Sequence, residues 1–172
     1  LFMESGCDCI KLEGGSDMAP VIKAIVKAGI PVCAHIGLTP QSAAMMGGFK
    51  VQGKSLEAAQ ELLDSARAVE EAGAFMVVLE GIPKMLADVI TEKLSIPTMG
   101  IGAGAGCDMQ VLVAQDMLGM NEWVPKFVKK YADLHKIIID AYNQYVKESN
   151  ERTFPDHDTQ YNAVIEGIEN LK

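Results

Sequence analysis

The sequence lacks the features that mark three large classes of protein. No apolar stretch approaches the ~20 residues that cross a bilayer, so we expect no membrane span. No dense cluster of lysine and arginine is present: 15 basic residues stand against 23 acidic ones, and the formal net charge is −8. Such an acidic chain is a poor partner for nucleic acid. At 49% apolar residues the chain is also too apolar to be disordered.

The sequence also has little cysteine. Four cysteines are spread over 172 residues, and none of them forms a CxxC pair of the kind that marks zinc or redox sites. Cys7 and Cys9 lie too close in sequence for easy bridging. A secretory signal has a basic segment followed by an apolar one, and the first residues of this sequence do not show that pattern. We therefore expect reduced thiols and a cytoplasmic protein.

Short apolar runs alternate along the chain with longer segments of helical periodicity. This alternation predicts βαβ units and a parallel sheet, which is an α/β fold. The predicted strands are 9–13, 31–36, 75–80, 96–101 and, with a short helix as the alternative, 109–115. The predicted helices are 17–28 with Ser16 as its cap, 55–72 with Ser55 as its cap, and one that starts with Pro83 in its first position and ends near Leu94.

The last part of the chain has a different pattern. Apolar residues recur at helical spacing from Phe127 to Val146, which predicts one long amphipathic helix that packs on its own sheet or on a neighbouring subunit. Beyond Asn150 the sequence turns polar, and we expect a loop at 153–156 and at most a weak helix over 162–171. The chain therefore divides into an α/β part over residues 1–124 and a helical extension of the same domain over 125–172.

Polar residues stand at the ends of the predicted strands. The first strand ends with Lys11 and Glu13, the second presents His35, the third ends with Glu80, and the fourth leads into the glycine-rich segment 102–106. The C-terminal ends of parallel strands converge on one rim, and that rim carries the active site in barrels and open α/β sheets alike. The positions alone therefore predict an enzyme.

Each of these residues also has a structural interpretation. Lys11 and Glu13 face the same side of their strand, where a charged pair is costly unless it binds a ligand or metal or forms an ion pair of its own. Glu80 suits a general base, with a capping or hydrogen-bonded carboxylate as the alternative. His35 is either a site residue or a core histidine with satisfied hydrogen bonds. The glycines of 102–106 could cradle a phosphate, but a tight turn fits them better because no P-loop lysine follows.

Six segments closely resemble ketopantoate hydroxymethyltransferases, and they occur in that family's order. Two contain highly specific pieces: segment 31–42, with His-Ile-Gly-Leu-Thr-Pro-Gln-Ser at 35–42, and segment 47–53, which reads Gly-Gly-Phe-Lys-Val-Gln-Gly. The others are 10–15, 78–80, 101–104 and 125–128. Together they reach from about residue 6 to about residue 156, and on them the chain is identified as a member of the family.

The resemblance implies a (β/α)8 TIM barrel that transfers a hydroxymethyl group from 5,10-methylenetetrahydrofolate to α-ketoisovalerate (3-methyl-2-oxobutanoate). The product is ketopantoate, on the route to pantothenate and coenzyme A. The resemblance also implies Mg2+, which chelates the keto acid and makes its C3 proton acidic. At the matching positions Glu80 is the base, Lys11 and His35 contact the substrate, and Glu13 belongs to the metal site. Family members are commonly homo-oligomers, so we expect self-association.

The sequence departs from the family pattern in two ways. A complete barrel has ~250 residues, whereas this sequence begins at the family's fourth strand. Residues 1–124 then form a partial barrel of strands 4–8, without strands 1–3 and the two aspartate metal ligands that they carry. Gln115 stands where the family usually has histidine. Because residues 1–6 resemble the end of a helix, we favour a truncated sequence over a split protein or a stable remnant.

Two other functions stay open at this point. The first is an oxo-acid enzyme of the phosphoenolpyruvate mutase and isocitrate lyase group, which shares the barrel and its Mg2+ chemistry. That group has a cysteine-containing loop motif which we do not find in this sequence. The second is a non-catalytic fragment or remnant that acts only as an interaction partner, with Tyr131 to Val146 as its oligomer contact.

Overall fold

The computed structural model describes residues 2–45 and 47–171. Within these residues five strands form one sheet, in which each strand pairs in parallel with the next one along the chain. The strands are β1 (Ile10–Glu13), β2 (Val32–Gly37), β3 (Met76–Glu80), β4 (Thr98–Ile101) and β5 (Met109–Gln110). The predicted α/β class and parallel sheet are therefore confirmed.

Helices precede, connect and follow the strands. They are α1 (Phe2–Ser5), α2 (Ala19–Lys27), α3 (Leu56–Glu71), α4 (Lys84–Lys93), α5 (Ala114–Met117) and α6 (Leu134–Glu151). Because neighbouring strands are parallel, α2, α3 and α4 each form a crossover between one strand and the next. Two 3-10 turns, Pro40–Ser42 and Ile168–Asn170, complete the regular structure of the described residues. Across these residues no helix combines the length and the hydrophobicity needed to cross a membrane.

The chain divides into two compact units. The first runs to Val113 and also includes Lys126–Val128, and the second comprises Ala114–Pro125 and the chain from Lys129 onward. All five strands lie in the first unit, whereas α5 and α6 lie in the second. The division between 1–124 and 125–172 stays a prediction.

The core of the first unit lies between the sheet and its crossover helices. Alternate residues of a strand point to opposite faces, so one face of β2 and β3 packs against α2, α3 and α4. The fully buried members of this cluster include Ile22, Val32, Val69, Val77, Leu79 and Ile90. The other face carries a smaller apolar cluster around Cys33, Val78 and Ile101. All six residues of β2 are buried, as expected for a central parallel strand.

Two predicted helix starts are wrong. Ser16 does not cap α2, which begins at Ala19 without a side-chain cap, because the Ser16 hydroxyl instead lies 3.1 Å from that of Ser65 on α3. Pro83 occupies the N-cap position of α4 rather than its first helical position. The predicted cap of α3 is confirmed: the Ser55 hydroxyl accepts a hydrogen bond from the N–H of Ala58 at 3.2 Å.

Three predictions for the C-terminal half also need correction. The fifth strand has only two residues, and the alternative short helix, α5, follows it at Ala114. The long helix begins at Leu134 rather than near Phe127, because the N–H groups of Tyr131 and Leu134 donate to the carbonyls of residues 117 and 118 at the end of α5. The weak terminal helix is reduced to the 3-10 turn Ile168–Asn170. Residues 153–156 lie outside any helix or strand, as predicted.

The four cysteines are free thiols, in agreement with the expectation from the sequence. Cys7 and Cys9 are exposed, while Cys33 and Cys107 are buried. Burial raises the pKa of the Cys33 and Cys107 thiols above the ordinary range. Both buried thiols are therefore protonated at neutral pH and behave as small apolar side chains.

Candidate active site

Three of the predicted site residues meet at the C-terminal ends of adjacent strands. Glu13 ends β1, His35 lies opposite it in β2, and Glu80 ends β3. In the register of β2 with β3, Glu80 lies opposite Gly37, two residues beyond His35. Because residues two apart on a strand share a face, the three side chains project from the same face of the sheet.

His35 lies between the two carboxylates. Its Nδ1 is 3.7 Å from Glu13 Oε1, and its Nε2 is 3.2 Å from Glu80 Oε2. His35 is 0% exposed, whereas the Glu80 side chain keeps 14% of its surface exposed. Neither ring nitrogen has a hydrogen bond of acceptable geometry to any residue that the structure describes. The described residues leave both ring nitrogens unsatisfied, and the choice between a site residue and a core histidine stays a prediction.

Glu13 is held from two further sides. Its Oε2 accepts a hydrogen bond from the backbone N–H of Gln41 at 3.1 Å, and its Oε1 lies 3.9 Å from Lys11 Nζ. The Lys11 side chain is 50% exposed, so the ammonium group can turn from Glu13 towards a ligand. Sequence reasoning missed the role of Gln41, although the specific segment 35–42 contains it. That segment ends in the 3-10 turn Pro40–Ser42, which brings this N–H to the carboxylate.

Close backbone packing fixes the position of Glu80. Gly37 has a φ of +90°, and a Cβ at this residue would lie 2.3 Å from the Glu80 carbonyl oxygen. The same carbonyl accepts a hydrogen bond from the N–H of Leu38 at 2.8 Å, and the N–H of Gly81 donates to Ile101 at 2.9 Å. Glycine at position 37 therefore lets the end of β2 approach the end of β3, which sets the position of the carboxylate next to His35.

The glycine-rich segment 102–106 packs tightly against side chains of its own unit. A Cβ at Gly102 would lie 2.7 Å from the Phe127 ring, and one at Gly104 would lie 2.6 Å from Lys84. Both glycines have positive φ values, +63° and +83°. This packing supports a tight turn rather than an open cradle for a phosphate.

The part of the chain that the structure describes contains no group of three histidine, cysteine or acidic side chains that could hold a metal ion. Mg2+ commonly uses only one or two protein carboxylates, and oxygen atoms of substrate and water complete its octahedron. The Glu13 carboxylate at the rim is a hard oxygen donor of this type. Glu13 therefore fits as one ligand of such a site.

Comparison with known proteins adds independent information. The profile of the family described as ketopantoate hydroxymethyltransferase matches residues 1–157. Three curated relatives are each named 3-methyl-2-oxobutanoate hydroxymethyltransferase. The relative from Clostridium novyi is 58% identical over 156 residues, which are 90% of this chain and 57% of the relative. The relative from Enterococcus faecalis is 54% identical over 172 residues, which are 99% of this chain and 62% of the relative. The relative from Geobacter metallireducens is 59% identical over 157 residues, which are 91% of this chain and 59% of the relative.

The extent of these matches decides what they establish. The chain spans 57–62% of the length of these three relatives, so their complete lengths include further sequence. Over the shared part, at least 54% of the residues are identical, and the matched profile covers most of the chain. The chain therefore belongs to the ketopantoate hydroxymethyltransferase family.

Proposed function

We propose that this chain forms part of an enzyme that transfers a hydroxymethyl group from 5,10-methylenetetrahydrofolate to α-ketoisovalerate and so produces ketopantoate. The observation that carries the proposal is the meeting of Glu13, His35 and Glu80 at the ends of three adjacent parallel strands. The relatives are named for hydroxymethyl transfer to the same keto acid, 3-methyl-2-oxobutanoate. The family match gives no support to the mutase and lyase group as an alternative.

The chain contributes the C-terminal five βα units of a (β/α)8 barrel in this proposal. The five strands are ordered along the sheet as they are along the chain. A doubly wound sheet would reverse this order at a switch point, whereas a barrel keeps it throughout. In the described sheet β1 and β5 are the two edges. Three further strands would close the barrel, the first of them pairing with one edge and the last with the other.

Glu80 is the base in the proposed reaction. Its carboxylate takes the C3 proton of α-ketoisovalerate, and the electron pair of the broken C–H bond moves into the enolate. The enolate C3 then forms a C–C bond to the methylene carbon of 5,10-methylenetetrahydrofolate. Both C–N bonds of that methylene break, water supplies the hydroxyl oxygen, and tetrahydrofolate leaves with the protons that its two nitrogens require. The half-exposed ammonium of Lys11 pairs with the carboxylate of the keto acid.

Glu13 is one ligand of Mg2+ in this proposal. When bound, the metal polarises the keto oxygen and makes the C3 proton more acidic. The Gln41 N–H and the His35 ring orient the Glu13 carboxylate from two sides. The remaining protein ligands belong to strands outside this sequence.

A specific observation also supports self-association. No residue of α6 is buried, and the helix exposes Ile137, Tyr142, Tyr145 and Val146. An apolar helix face of this kind marks an interaction surface. We therefore propose that α6 contributes to a homo-oligomer. Tyr142→Lys should lower the mass measured by light scattering, and an unchanged mass would exclude α6 from the contact.

Isotope exchange tests the proposed chemistry. We would join this chain to the part of the Clostridium novyi relative that lies outside the matching region, and call the product the completed chain. With Mg2+ and D2O it should exchange the C3 proton of α-ketoisovalerate for deuterium. Glu80→Gln should lower the exchange rate by about 100-fold or more, since general-base catalysis contributes this much.

Glu61→Gln is the matched control, because Glu61 is an exposed glutamate on α3. This variant should exchange at the wild-type rate. Exchange that survives Glu80→Gln would contradict the assignment of the base. If the folded completed chain shows no Mg2+-dependent exchange, the proposed chemistry is wrong and the non-catalytic alternative is favoured.

A further inference from the structure

We propose that His35 is a positioning residue which aligns the Glu80 carboxylate, and that it does not contact the substrate. This inference rests on the proposed function, because Glu80 is the base only in that reaction. It changes the role that the sequence resemblance implied for His35. The contacts, the burial and the backbone environment of the ring each support it.

The burial of the ring argues against a substrate contact. His35 is 0% exposed, even though the five-strand sheet has two open edges. Further strands can only reduce the exposure of a side chain on this face. Glu80 and Lys11, by contrast, keep exposed surface through which a ligand can reach them. A substrate at the rim would therefore meet the two charged side chains and not the imidazole.

The contacts of the ring point to Glu80. Nε2 lies 3.2 Å from Glu80 Oε2, which is hydrogen-bond distance, but the geometry does not complete the bond. A buried polar group without a hydrogen bond costs free energy, so its persistence calls for a functional reason. Catalytic hydrogen bonds are often poorly aligned before substrate binds and tighten in the complex. With Oε2 directed to the ring, Oε1 is the oxygen that accepts the C3 proton.

The ring also separates two like charges. Glu13 Oε1 approaches Nδ1 from one side, while Glu80 Oε2 approaches Nε2 from the other. Two carboxylates repel each other strongly in a partly buried site. The imidazole lies between them, and in the tautomer that carries the proton on Nε2 it can donate to Glu80 alone, so that Glu80 keeps one orientation when the keto acid arrives.

Complete burial restricts the His35 ring, and a backbone hydrogen bond holds the residue in place. The His35 carbonyl accepts a hydrogen bond from the N–H of Gly14 at 2.9 Å, which joins β2 to the end of β1. On the same face of the sheet, the buried side chains of Cys33 and Val78 pack together. The ring is therefore a fixed reference for the Glu80 carboxylate, which is the requirement for a positioning residue.

Two amide variants separate the two sides of the ring. In His35→Asn the amide nitrogen reaches the position of Nδ1, on the Glu13 side, and in His35→Gln the longer side chain reaches that of Nε2, on the Glu80 side. In the completed chain, His35→Asn should lower the maximal rate of C3 exchange about 10- to 100-fold, as loss of an orienting partner commonly does. The KM for α-ketoisovalerate should change by less than about twofold. His35→Gln should recover most of the rate.

Three results would overturn the proposal, provided that urea unfolding shows both variants to be folded. A raised KM with an unchanged maximal rate would make His35 a substrate contact. Equal losses in the two variants would make the ring a packing element only. The third readout is independent of activity: in the 172-residue chain, Glu80→Gln should shift the 15N resonance of His35 Nε2, while Glu61→Gln should not. An unmoved resonance would overturn the proposal even if the completed chain proved inactive.

Discussion

Helices α3 and α6 have similar length and similar amphipathic sequences, yet they use their apolar residues differently. α3 spans 16 residues in the first unit and buries Leu63, Ala66 and Val69 against the sheet. α6 spans 18 residues in the second unit and buries none. Periodic apolar residues therefore specify a helix and the face that it offers, but they do not specify whether a partner covers that face.

Side-chain hydrogen bonds differ between the two units in the same way. In the first unit, Glu70 accepts hydrogen bonds from Ser95, 25 residues away, and joins α3 to the segment before β4. In the second unit the side-chain bonds of α6 and the loop after it are mostly local, such as those from Thr159 to Asp156. The His135 ring nitrogen, 3.3 Å from the Met120 carbonyl oxygen 15 residues away, departs from this pattern. Long-range contacts make the first unit cooperative, whereas local contacts can form without tertiary structure.

The largest expected difference between the units concerns apolar burial. Leu79 in β3 is 0% exposed, and Ile137 in α6 is 59% exposed. Leu79→Ala should lower the free energy of unfolding by about 2–5 kcal/mol because it leaves a cavity in the core. Ile137→Ala should change it by less than about 0.5 kcal/mol. Urea unfolding followed by circular dichroism measures both. A comparable loss in Ile137→Ala would show that a partner covers α6 in solution.

A smaller difference is expected in the response to acid. Hydrogen bonds from Ser95 hold the pKa of the Glu70 carboxyl below its usual range, and those from Thr159 do the same for Asp156. A carboxyl whose pKa is lowered by folding stabilises the protein above its unfolded pKa, and this contribution is lost as the pH falls through the folded pKa. Glu70→Gln should therefore cost about 1–2 kcal/mol near neutral pH, a value reduced by solvent exposure, and nothing in strong acid.

Asp156→Asn is the matched change in the second unit. Its hydrogen bonds close a loop of only four residues, so we expect no shift in the main unfolding transition at any pH. Urea unfolding between pH 7 and pH 3 follows both variants. A cost of Glu70→Gln that is the same at every pH would show that packing, rather than the charged hydrogen bonds, connects α3 to the segment before β4.

Local signals explain why much of the fold could be predicted. The apolar runs identify the four longer strands, and Ser55 with its downstream stripe identifies α3, because caps and periodicity act within a few residues. Two of the wrong predictions involve distant partners. Ser65, which engages Ser16, is 49 residues away, and the carbonyl that holds Tyr131 outside a regular helix belongs to the end of α5. No local pattern contains these contacts.

The candidate site shows the same limit. The positions of Glu13, His35 and Glu80 at strand ends predicted that they would lie on one rim, because parallel strands end together. The complete burial of His35 depends on the strand register and on side chains of neighbouring strands. The hydrogen bond from Gln41 to Glu13 depends on a 3-10 turn. These features follow from tertiary geometry, and no single-residue signal gives them.

The smallest expected effect compares the first turns of the same two helices. Ser55 Oγ accepts a hydrogen bond from the Ala58 N–H, whereas Asp133 at the N-cap of α6 makes no side-chain cap hydrogen bond. Ser55→Ala should cost about 1 kcal/mol and expose the Ala58 amide to hydrogen exchange. Asp133→Ala should cost less, because only its charge near the helix end contributes. If Asp133→Ala speeds hydrogen exchange in the first turn of α6 as much as Ser55→Ala does in the first turn of α3, the Asp133 side chain caps α6 in solution. The starts of the two helices would then be equivalent.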